Sequence, residues 1–121
     1  GLVGVMEMIK AGGLVIKTIA TGQAASAAFD ILIAGTKGER ACTETTLLMT
    51  HSTSVDARER ALSELLEKVD DQILMRYTTL DRKKINAYAK VGGNLWMSAK
   101  EGLETGVVDR LIQVGEVLDV D

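Results

Sequence analysis

One serine and one histidine are the residues whose types and placement could do chemistry together. A serine hydroxyl is a weak nucleophile at neutral pH. It needs an adjacent base, and donors aimed at the oxyanion that forms when it attacks a carbonyl. Ser26 follows the small-residue run Gly22-Gln23-Ala24-Ala25 and precedes an apolar stretch, Phe29 to Ala34, that reads as a helix stopped at Gly35. It therefore sits at a helix start, where backbone N–H groups are unpaired and the dipole favours negative charge. The neighbouring alanines leave room for a substrate backbone, and the logic is that of a nucleophile elbow without its G-x-S-x-G sequence. His51 is the sole histidine of the chain, so a histidine base, if one exists, is this residue. Each residue also has a structural reading: serine at a helix start often caps the helix, and a histidine at a strand end is often structural.

The elements that must position them read as one α/β unit. Gly1 opens into an amphipathic stretch, Leu2, Val5, Met6 and Ile9, that reads as a helix. Leu14 to Ala20, bounded by Gly12-Gly13 and Thr21-Gly22, reads as a mostly buried strand, and Arg40 to Thr50 as a second strand region ending beside His51. With the helix between them they predict a right-handed βαβ unit. From about Val55 to Tyr77 the pattern is helical. Leu62, Leu65, Leu66, Val69 and Ile73 fall on one stripe, and Thr53 with Asp56 resembles a capping box. A further helix runs from Asp81 to about Lys90, and Val91-Gly92-Gly93-Asn94 breaks it. Leu95-Trp96-Met97 reads as a short strand, with Ser98 capping a helix through Glu104 and Gly106 just past its end.

Composition narrows the function classes. The chain has 121 residues, 46% of them hydrophobic, which suits one domain with one core. The net charge of −3 offers no basic excess for nucleic acid. No apolar run reaches the roughly 18 residues of a membrane span. Cys42 is the only cysteine, which rules out a disulfide within the chain and fits a reducing, cytoplasmic setting. Proline is absent and the first residue is glycine; the chain reads as the remainder of a longer one.

Four segments, in order, resemble the ClpP-type serine peptidases. Gly22-Gln23-Ala24-Ala25-Ser26 matches that family's nucleophile motif, whose fifth residue is the catalytic serine. Ala34-Gly35-Thr36-Lys37-Gly38-Glu39-Arg40 resembles its A-G-x-K-G-x-R turn, and Leu48-Met49-Thr50-His51 the stretch that ends in its catalytic histidine, 25 residues after the serine. Met97-Ser98-Ala99-Lys100-Glu101 with Glu104-Thr105-Gly106-Val107-Val108-Asp109 resembles its late S-A-x-E-A-x-E-x-G-L-[VI]-D element.

The resemblance implies a ClpP/crotonase-like spiral of ββα units over residues 1–121, a partial peptidase domain lacking the family's N-terminal part. It implies a serine endopeptidase with Ser26 as nucleophile, His51 as base and the Ala27 N–H as one oxyanion donor, with no metal and no organic cofactor. The partners implied are other copies of the chain in a ring, a heptamer in the family, and an AAA+ unfoldase that feeds it unfolded protein or peptide. Neither nucleic acid nor membrane is implied. The third triad member, an aspartate in the family four residues before the S-A pair, falls on Asn94. Asparagine can orient the imidazole but brings no charge to it; Asp81 and Asp109 are the alternatives, the latter reading as a surface or cap carboxylate. The family's glycine-rich oxyanion loop upstream of the first helix has no counterpart, and Gly12-Gly13 lies in the wrong place to replace it. A strand and loop between the histidine and the long helix are shortened to about Ser52-Thr53-Ser54, which leaves the stacking of two rings open. Two rivals follow: a ring subunit that keeps the fold without catalysis, favoured by Asn94, and an acyl-CoA enzyme of the related crotonase group.

Overall fold

In the computed structural model, which describes residues 1–51, 60–89, 93–113 and 115–116, the chain winds as a spiral whose first four strands go alternately to two sheets. Helix α1 (Leu2–Ala11) leads into β1 (Thr18–Ala20) and β2 (Gln23–Ala25), then α2 (Ala27–Ile33), β3 (Arg40–Thr43) and β4 (Leu47–His51). The helices α3 (Arg60–Tyr77) and α4 (Arg82–Tyr88) precede β5 (Asn94–Met97), α5 (Ala99–Glu104) and β6 (Arg110–Ile112). One sheet has the order β1-β3-β6, all parallel; the other is β2-β4-β5, with β4 parallel to β2 and antiparallel to β5.

Two strand expectations need correction. Leu14 to Ala20 is strand only over its last three residues, because Ile16 is held instead by the Thr36 hydroxyl and N–H. The small residues before Ser26 form a strand of their own, β2. Gly22, at φ 73, supplies the left-handed corner between the two sheets that an L side chain resists. Likewise Arg40 to Thr50 is two strands in different sheets. The corner between them is pinned by Thr46, whose hydroxyl meets Thr43 Oγ1 at 2.7 Å and donates to the Ala20 carbonyl at 3.2 Å. The predicted βαβ unit is present twice over, since β1 pairs with β3 and β2 with β4, both across α2.

The core lies between the sheets and α2, with Phe29, Ile33, Leu48, Ile85, Val107 and Val108 almost wholly buried. An ion pair closes one side of it. Arg40, 2% exposed, meets Asp109 through Nε and Nη2 at 2.9 and 2.8 Å and donates Nη1 to the carbonyls of Tyr77 and Ile33 at 2.8 and 3.2 Å. Asp109 also accepts from the backbone N–H of Gly38 and of Arg40, at 2.7 and 3.1 Å. It is therefore a structural clasp between the A-G-T-K-G-E-R turn and the late element, not an exposed surface carboxylate. Only the C-terminal half of the α3 stripe reaches this core, through Ile73, Leu74 and Tyr77; Leu62, Leu65, Leu66 and Val69 are at least half exposed. The Thr53–Asp56 capping box lies outside the described residues. No helix among the described residues is long and apolar enough to cross a membrane.

Candidate active site

Strand β2 ends at Ala25, the backbone turns at Ser26, and α2 begins at Ala27. The turn is sharp: Ser26 has φ 56 and ψ −118, the only non-glycine at positive φ among the described residues. Its N–H continues the parallel ladder to the Met49 carbonyl at 3.2 Å, which places Ser26 beside the end of β4. A serine in so sparsely populated a conformation costs on the order of 1–3 kcal/mol and persists because its surroundings hold it there.

The hydroxyl separates the two readings of Ser26. It makes no cap bond to α2. Ser98, by contrast, caps α5 in a complete capping box with Glu101, and Asp81 caps α4 by accepting from the Lys84 N–H at 2.8 Å. Ser26 Oγ instead hydrogen-bonds His51 Nε2. The other ring nitrogen, Nδ1, lies 2.9 Å from Asn94 Oδ1. With that carboxamide oxygen accepting, the Nδ1 proton is held and Nε2 is left free to accept the serine proton.

Register explains the third contact. His51 and Asn94 are directly opposite in the antiparallel β4–β5 pair, so both side chains leave one face within reach of each other. Counting four residues back from Ser98 therefore lands on a cross-strand partner. The alternatives lie elsewhere: Asp81 is a helix cap and Asp109 is engaged by Arg40. Ala27, first residue of α2 and exposed, has an N–H with no acceptor within its helix, as for any residue in a first turn.

Three residues not singled out by the sequence reading surround this constellation. Arg82, at the start of α4, donates Nη1 to the His51 carbonyl at 2.8 Å and Nε to Asp71 of α3 at 2.8 Å, tying the end of β4 to both helices. Asp30 lies one turn along α2 from Ser26, its N–H on the Ser26 carbonyl at 3.1 Å. Burial pushes its carboxyl up to about 6, the nearby Asp70 adds to the shift, and His51 opposes it. Burial likewise raises Asp70, against Arg82. A carboxylate inside the apolar run Ala27-Ala28-Phe29-Asp30-Ile31-Leu32-Ile33 was the available signal for Asp30; nothing local in the sequence marks Arg82 or Asp70. Among the described residues no group of three or more His, Cys, Asp and Glu is placed to hold a metal.

Spiral and constellation together define a class, a ClpP-like fold carrying a serine–histidine pair at a strand–turn–helix corner. The solved structure of a peptidase from Plasmodium falciparum shares the fold, with a TM-score of 0.72 over 91% of this chain and 61% of that one at 15% identity. The family model for Clp protease matches residues 2–115, and the chain belongs to that family. It is 29% identical over 117 residues to an ATP-dependent Clp protease proteolytic subunit of Porphyromonas gingivalis, covering 91% of this chain and 52% of the relative. It is 30% identical over 103 residues to the one from Bacteroides fragilis, covering 80% and 50%, and 27% over 105 residues to subunit 1 from Corynebacterium diphtheriae, covering 79% and 49%. The chain thus spans about half the length of the curated relatives it matches.

Proposed function

We propose that this chain carries the catalytic serine and histidine of a serine endopeptidase. The observation that carries the reading is the Ser26 hydroxyl turned away from its helix and onto His51 Nε2. In the reaction Ser26 Oγ attacks the scissile carbonyl carbon while His51 Nε2 takes its proton. The Ala27 N–H donates to the developing oxyanion. Collapse breaks the C–N bond, His51 returns the proton to the departing amine, and water deacylates Ser26 by the same steps. Asn94 keeps the imidazole in the tautomer that can accept.

The working form is a ring of copies served by an ATP-driven unfoldase, in the cytoplasm. The relatives' names, ATP-dependent Clp protease proteolytic subunit, support the unfoldase. The apolar stripe of α3 left on the surface supports the oligomer, and the single buried thiol of Cys42 agrees with a reducing compartment. A second reading, a ring subunit with little or no catalysis, draws on Asn94, which cannot offer the imidazolium a negative charge. In the chymotrypsin triad, replacing the aspartate by asparagine lowers turnover by about 10⁴. Hydrolysis of fluorogenic peptides separates the two: the endopeptidase loses it in Ser26→Ala and in His51→Ala, whereas the assembled structural subunit shows none to lose.

A further inference from the structure

A groove of about 460 Å³ opens beside Ala27, between α1, α2 and α3. Its walls are largely apolar, with Ile31 from α2 and Val69 and Ile73 from α3, and its polar groups are few: Asp30, Gln72, Glu7 and Arg76. The groove's cation is already engaged, because Arg76 is ion-paired to Glu7, which also accepts from the Tyr77 hydroxyl at 2.8 Å. Asp30 is different. Among the described residues none donates to its carboxylate, although the groove leaves it only partly exposed.

We propose that this groove receives the side chain of the residue on the acyl side of the scissile bond, and that Asp30 makes it favour lysine or arginine there. This rests on the peptidase reading above. A substrate carbonyl attacked by Ser26 Oγ carries its side chain one bond away, and Ala27, the residue after the nucleophile, lines the groove. A basic side chain suits the space in both its parts. Its methylene stem lies along Ile31, Val69 and Ile73, and its cation meets the Asp30 carboxylate. The charges facing Asp30 are Glu7 from α1, Asp70 and Arg76 from α3 and His51 from β4. Since Glu7 and Arg76 neutralise each other, the balance that a substrate cation meets is negative. The carboxyl is ionised above about pH 6, so the groove carries its charge there and loses it on acidification.

Two fluorogenic peptides identical except for lysine or norleucine before the scissile bond test this on the assembled protein. The wild type favours lysine in kcat/KM by about three- to tenfold at about pH 8, the span of a partly buried ion pair. The preference declines as the pH falls through about 6, while anything His51 contributes is common to both substrates and cancels. Asp30→Asn removes the preference, so that the lysine and norleucine substrates become equal in kcat/KM. A wild type that favours norleucine overturns the proposal. So does an Asp30→Asn variant that slows both substrates alike, since Asp30 would then act on His51 and not on the substrate. The same peptide pair, as fluorescent acids ending in lysine or norleucine, can be bound to Ser26→Ala and read by anisotropy. Tighter, salt-sensitive binding of the lysine peptide supports the groove's role even where no turnover is seen, and equal binding contradicts it. Absence of turnover in the wild type counts against the peptidase reading alone.

Discussion

At the scale of single residues, Ser26 holds a backbone conformation that works against stability. Its φ of 56 is one that glycine adopts freely and serine does not. Ser26→Gly is therefore expected to be more stable than Ser26→Ala, by about 1 kcal/mol in equilibrium denaturation, although both lack the hydroxyl. Equal stabilities would mean that the corner stores no strain. Asp30 makes the same point through charge. Its folded carboxyl titrates at about 6, above its ordinary 3.8, so folding disfavours the ionised form. That penalty is absent well below pH 4 and complete above pH 6. Asp30→Asn should accordingly raise Tm at about pH 8, with the gain shrinking toward pH 4. Asn94, paired with His51 by register, places an uncharged acceptor beside the ring. Asn94→Asp should keep or raise peptidase activity; a large fall in kcat would show that Asn94 is not the orienting group.

At the scale of elements, the site stands on two sheets clasped by one ion pair. Arg40→Met removes the partner of Asp109 and leaves the carbonyls of Ile33 and Tyr77 without their donor. The expected loss is about 3 kcal/mol, read from urea denaturation. The hydrogen bond from the Arg40 side chain is the largest of the influences holding the Asp109 carboxyl below the usual range. Its contribution is therefore present above about pH 4 and lost as the pH falls through the depressed value. A clasp of this kind was only half legible in the sequence. The spacing of Arg40 in its turn and Asp109 in the late element belonged to the resemblance, while their pairing is a tertiary fact. The helices, with their periodic apolar stripes and Ser98 as a cap, could be read directly. Apart from Leu95-Trp96-Met97, the strand boundaries could not, because three- and four-residue strands such as Thr18–Ala20 and Gln23–Ala25 are too short to show alternation. Corners made by Gly22 and Thr46, not periodicity, decide where one sheet hands the chain to the other. Ser26 and His51 were legible as types, but only the β2–β4 register brings them together.

At the scale of the whole molecule, the chain leaves an apolar face uncovered. Leu62, Leu65, Leu66 and Val69 stand at least half exposed along α3, where a lone chain gains nothing from burying them. If copies assemble through this face, Leu65→Glu with Leu66→Glu should shift native mass spectra from the oligomer to the monomer while the monomer still melts cooperatively. An unchanged oligomer would place the contact elsewhere. The central claim, that a hydroxyl held on an imidazole at the β2–α2 corner is an activated nucleophile, is tested most directly by a fluorophosphonate probe. Intact-mass analysis with peptide mapping should find one adduct on Ser26, absent in Ser26→Ala and strongly reduced in His51→Ala. A folded, assembled protein that takes up no label, or takes it up equally without His51, would contradict it.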